Sequence, residues 1–297
     1  MRNENCIMIG LLAASACAQA QWLNHRNPGT PRLKDGKANL AAPAPRSNGK
    51  PDLSGIWQAE GAPIAELMRL LPGGTNGLGE DPPSKYFLDI LADFKPEDSP
   101  LRPAELEPYR KRRASYGEGF PVTRCLPAGL PTSDLAPEPF KIVQTRGLVV
   151  MLFENNTAFR QIFTDAREQL RDPQPSWMGY SVGKWEGDTL VVDTIGFNDQ
   201  SWLDAYGHKH SDAMHLTERF RRPDFGHLKV QATIDDPKTF TKPFTIQFTE
   251  LLHLTALEVT RLILKRFQFS VEISRLAHRR LHECRWRNDS RGPGAML

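Results

Sequence analysis

Nowhere does this chain offer the roughly 20 consecutive apolar residues of a membrane-spanning helix, which argues against a membrane span. An excess of one charge is missing too: 38 Lys and Arg stand against 35 Asp and Glu, a net +3 over 297 residues. That balance is too even for nucleic acid to be the partner. There is no Gly-x-Ser-x-Gly nucleophile elbow, and Ser211, next to His210 in sequence, would face the opposite way on a strand. The run Pro72-Gly73-Gly74-Thr75-Asn76-Gly77 lacks the lysine and following helix of a phosphate loop, which argues against nucleotides as ligands. A helical His-Glu-x-x-His is also missing. Cupin spacing fails, because Met214 and His215 stand where a glutamate would have to follow His210.

Cysteine is scarce, with four in the chain. Cys6 and Cys17 fall in the first twenty residues, which read as a secretory signal: Arg2, an apolar run from Ile7 to Ala16, then Ala18-Gln19-Ala20 as a cleavage site. A lipid-attachment reading of Cys17 is disfavoured by Ala14-Ser15-Ala16 before it. Export to the periplasm or beyond is therefore expected. Cys125 and Cys284 remain; a bridge between them would be worth roughly 4 to 5 kcal/mol, but two unpaired thiols are the preferred reading.

What the chain does have is proline, concentrated. Eighteen of its 24 prolines lie between Pro28 and Pro139, a composition that breaks helices and central strands. Residues 21–139 are expected to form an irregular arm. It would hold short helices at Ile64–Leu71, Lys85–Phe94 and Arg102–Tyr116, and a first strand in Asp52-Leu53-Ser54-Gly55-Ile56-Trp57. From Phe140 the pattern becomes short strands between turn signals: Phe140–Thr145, Leu148–Phe153, Ala158–Thr164, Tyr180–Trp185, Thr189–Phe197, Leu216–Arg222, His227–Asp235 and Thr245–Leu251. Glu186-Gly187-Asp188 reads as a three-residue hairpin connection. Eight or nine such strands without alternating helices predict an all-β protein, an antiparallel meander closed into a lipocalin-like barrel over residues 140–252.

Residues 253–297 differ from the rest. They carry nine Lys/Arg against four Asp/Glu, as a basic amphipathic helix would, or as would follow if a shifted reading frame had replaced the true ending. The second reading is preferred.

Titratable groups cluster between Trp177 and Arg222. Leu216, Glu218 and Phe220 share one strand phase, which places Glu218 on the apolar side, where a carboxylate must be bonded, paired or protonated. Asp193 shares a phase with Val191 and Ile195. His208 and His210 are spaced to face one way on a strand, and with His215 and Asp212 or Glu218 could be counted as metal ligands; hydrated loop histidines are the preferred reading, and neither a metal nor another cofactor is expected. Acid–base chemistry fits better, with His210 or His215 as base, Glu218 or Asp193 its partner and Arg219 an anion stabiliser. Trp177, Tyr180, Trp185, Phe197, Trp202 and Tyr206 are candidates to line a pocket for an apolar ligand.

The strings GKWEGDTLVVDTIGFND, WLD, GHKHSDAMHLTERFRR, GHL and TIDDPKTFTKP, with DLSGIW, CLPAGLP and IFTDAR upstream, resemble a family of secreted, largely uncharacterised proteins from soil bacteria. The likeness runs from Asp52 to Phe248 and implies no particular activity. In that family aromatic and acidic residues follow where this chain turns basic, and glycine stands at the position of Ala166. The expected function is a secreted enzyme doing acid–base chemistry, such as hydrolysis, elimination or isomerisation, on a small, partly apolar molecule. The alternatives are a non-catalytic carrier using the same cavity and an envelope interaction module.

Overall fold

The computed structural model describes residues 29–71, 82–115, 117 and 119–254. The expected signal segment, the Pro72–Gly77 run, Cys284 and the basic tail from 255 on lie outside the described residues. Cys125 sits on the surface.

Nine strands close into one barrel. After a small hairpin, β1 (Arg46–Ser47) and β2 (Lys50–Pro51), come β3 (Gly55–Ala59), β4 (Phe140–Thr145), β5 (Leu148–Phe153), β6 (Phe159–Phe163), β7 (Tyr180–Glu186), β8 (Thr189–Ile195), β9 (His215–Arg221), β10 (His227–Asp235) and β11 (Phe244–His253). Each of β3 to β11 pairs with the next, and β11 closes on β3. The fold is thus the all-β, lipocalin-like barrel that the pattern predicts, with one departure: β6 and β7 run parallel, joined by only two registered pairs, Ile162↔Ser181 and Phe163↔Val182. The meander is mixed, and this seam is the weakest stretch of its ladder. Gly183 belongs here, because a Cβ on it would stand 2.9 Å from Ile162 Cγ2 and 3.1 Å from Thr164 Cγ2.

Alternation decides which side chains fill the interior. On β10 Leu228, Val230, Ala232 and Ile234 are buried while Lys229, Gln231 and Asp235 are exposed. On β9 Leu216, Glu218 and Phe220 are buried, as their shared phase predicts. The Glu186-Gly187-Asp188 turn is one residue tighter than expected: Glu186 pairs with Thr189, leaving Gly187-Asp188 as a two-residue loop. Gly187 takes φ +59° there, the conformation such a loop asks of its first residue.

The arm folds over the barrel with four short helices, α1 (Ile64–Leu70), α2 (Lys85–Leu88), α3 (Pro103–Ala114) and α4 (Thr132–Leu135). The helix expected over Lys85–Phe94 ends early, at Leu88, and Asp89 is extended. Asp89 Oδ1 accepts from Leu91 N–H at 2.9 Å, a local bond that competes with a further helical turn. All four residues of α4 are buried, as are Leu130 and Ala136 beside it. Arg222 ties the arm to the β9–β10 turn, donating to the carbonyls of Asp52 (2.5 Å), Ser54 (3.2 Å) and Phe225 (2.6 Å). Burial pushes its guanidinium down to about 10.

Candidate functional site

The barrel interior holds a polar group that packing alone would not select. Arg160, inward on β6 in phase with Ile162, is wholly buried. Its side chain runs laterally beneath the seam. Nε donates to Ser181 Oγ of β7 at 3.1 Å, Nη2 to Thr194 Oγ1 of β8 at 2.9 Å, and the two terminal nitrogens grip Glu218 of β9, one of them at 3.2 Å. Ser181 and Thr194 bond each other at 2.9 Å. One guanidinium therefore bridges four strands where the backbone ladder is thinnest.

Two more buried carboxyls lie nearby, one against the ion pair and one influenced by Asp134 alone. Asp134, inserted by α4, lies 3.9 Å from Arg160 Nη1. Glu250, on β11, is fully buried and neither of its oxygens has a hydrogen-bond partner. Carboxylates buried without a cation of their own are disfavoured by desolvation. Burial accordingly raises Asp134 well above the carboxylate range, with the Glu218 charge adding to the shift. Glu250 rises well above it as well, from burial and then from Asp134. Both shifts favour the neutral acid at Asp134 and Glu250, while Glu218 is the carboxylate that Arg160 grips.

Outside the same seam lies a cavity of about 420 Å³, within the range of small-ligand sites. Below the Ile162↔Ser181 pair the two strands separate, and the gap is lined by Phe159, Phe163, Trp177, Met178 and Tyr180. Arg160 and Ser181 line it too, so the cavity and the interior network share two residues.

The structure does not bring the other expected catalytic residues to Glu218. His215 and Arg219 share β9 with it but lie on the opposite face, as pleating requires. His215 Nε2 meets Asp193 Oδ1 at 3.3 Å in a half-exposed hydrogen bond, and Arg219 Nη2 meets Glu186 Oε2 at 2.8 Å in a half-exposed ion pair. Pairs of this kind contribute about 0.2 to 1 kcal/mol. His210 is buried in the loop before β9, where its Nδ1–H donates to the Ser211 carbonyl at 2.9 Å. Its Nε2 is thereby left to accept from the Ser201 hydroxyl at 2.7 Å. Burial lowers its pKa, so the ring is neutral and engaged away from Glu218. Of the six aromatic candidates only Trp177 and Tyr180 line the cavity. Phe197 is core and edge-on to His210, Trp202 packs on Phe120, Trp185 packs against the core, and Tyr206 bonds the Leu70 carbonyl.

His208 joins Asp204 and Asp89 in a buried trio with Tyr109 stacked on its imidazole at 3.9 Å. Ligand atoms of all three lie within 4.8 Å of one another. Yet Asp204 already accepts from the N–H groups of Ile90 (2.7 Å), Gly207 (2.8 Å) and His208 (3.0 Å), and from His208 Nδ1. A cation would have to displace those donors. The trio is a knot that fastens the segment after α2 to the loop before β9.

Arg160, Asp134, Ser181, Thr194 and Glu250 are the buried polar groups of the barrel interior that had not been singled out in the sequence. Two of them had a signal: Arg160 shares the phase of Ile162, and Glu250 that of Phe244 and Ile246. Asp134 had none, lying in a proline-rich loop. Comparison of the chain with protein-family models, curated proteins and solved structures gives no match.

Proposed function

We propose that the protein takes up a small, partly apolar molecule in the seam cavity and carries out acid–base chemistry on it through Glu218, Asp134 and Arg160. One observation carries this reading: Arg160 and Ser181 belong both to the cavity lining and to the buried network ending on the two carboxyls. The roles follow from the surroundings. Glu218, held by Arg160, would be the base; Asp134, whose proton burial favours keeping, the acid; and Arg160 the cation that would meet a developing oxyanion. Phe159, Trp177 and Tyr180 supply apolar surface for the rest of the ligand. Isomerisation, elimination and hydrolysis all need such a proton donor and acceptor. The residues before Gln21 support a periplasmic or secreted setting for this activity.

A carrier reading has one observation in its favour: Glu218 is held in the closed pair with Arg160 and does not itself line the cavity. The variant Glu218→Gln separates the two readings because it keeps shape and removes charge. With a panel of aromatic carbonyl compounds, an enzyme should keep ligand binding in Glu218→Gln while turnover falls at least about a hundredfold. A carrier shows altered affinity and no turnover in either form. Trp177→Ala should weaken binding in both cases, and unchanged binding in that variant would remove the cavity from the proposal.

A further inference from the structure

We infer that the outer face of β8 to β11 carries a second binding site, separate from the seam, for an acidic sugar chain. The argument starts from register. Arg221 of β9 stands directly opposite Lys229 of β10, and Thr189 of β8 is the other neighbour of Arg221. Two residues along, Arg219 stands opposite Gln231, which in turn faces Gln247 of β11. All of these point away from the core, since Phe220, Val230 and Ile246 between them are buried. Like charges directly opposite in an antiparallel ladder are destabilising, so an Arg–Lys pair there calls for a counter-charge.

The chain does not supply it. Arg219 has Glu186 at 2.8 Å. Asp188, the carboxylate that Arg221 influences, is held by Arg46 at 2.8 Å. Among the described residues Arg221 and Lys229 make no ion pair and no side-chain hydrogen bond. The three cations border a groove of about 370 Å³ whose other polar walls are Thr189, Gln231, Gln247 and Thr249. Cations that attract an oxyanion, set beside neutral hydroxyl and amide groups that can bond sugar hydroxyls, match a carboxylated saccharide. Anionic lipid would use the charges and leave the amides idle.

Titration of the full chain with trigalacturonate at low salt tests this. Saturable binding is expected, weakened by added NaCl as screening requires and absent with neutral maltotriose. Lys229→Glu and Arg221→Gln, both at exposed positions, should each weaken it at least about tenfold with a melting temperature that holds or rises, since each removes the like-charge pair. Binding of trigalacturonate that survives both substitutions, or no saturable binding, overturns the inference. So does adsorption to phosphatidylglycerol vesicles, or uptake of inorganic phosphate, by a protein that ignores trigalacturonate.

Discussion

Ala166 holds φ at +65° in the loop between β6 and β7, a left-handed conformation that costs a residue with a Cβ about 1 to 2 kcal/mol. Glycine adopts this conformation without that penalty. Ala166→Gly should therefore raise stability by about 1 kcal/mol, the relief being partly offset by the greater freedom of the unfolded chain. Urea unfolding at constant m-value checks it, and a fall in midpoint would mean that the alanine methyl packs usefully. At this scale the sequence was partly legible. Glu218 announced its burial because a strand has only two faces and its neighbours Leu216 and Phe220 are apolar. His210 could not be placed, since a loop residue has no phase, and its partner Ser201 lies nine positions away across an irregular turn.

Elements were legible wherever periodicity ruled, as in β10, whose alternation over His227–Asp235 was read without error. The parallel seam was not, because pairing direction leaves no mark in a strand's own sequence and depends on the loop from Thr164 to Gly179. That same seam explains Arg160, whose side chain links β6 to β7, β8 and β9 where two backbone pairs must close the barrel. Arg160→Met should leave Glu218 buried and unpaired, with a loss of about 3 to 5 kcal/mol in denaturant unfolding at neutral pH. Joining it to Glu218→Leu removes the stranded charge, and the double variant should recover most of the stability. Two losses that simply add would show that the guanidinium acts through packing alone.

The whole barrel carries more buried carboxyl than buried cation, and that imbalance ties its stability to pH. Glu250 has a folded-state pKa well above its ordinary 4.5 because burial disfavours its charge, Asp134 adding to the effect. Its favourable contribution is therefore complete below about pH 4.5 and declines as pH rises through the folded value, since the native state must then either hold a buried charge or open. Other groups slope the opposite way. Burial alone would raise Asp93, but Lys85 and Tyr86 hold it below its ordinary range, so it withdraws stability as pH falls through that range. His210, lowered by burial, withdraws it as pH falls below 6.5, because only the unfolded chain then gains a proton. A melting curve of the native protein mixes these slopes, so the informative quantity is a difference. Glu250→Gln keeps the shape of the neutral acid and has no proton to lose. The stability of this variant, minus that of the unaltered chain, should be small at pH 5 and greater at pH 9, with a slope of at most about 1.4 kcal/mol per pH unit wherever the pH lies below the raised folded-state pKa of Glu250. A difference that stays flat across that range would mean that Glu250 ionises inside the barrel at no cost, against a neutralising partner that the interior network does not contain.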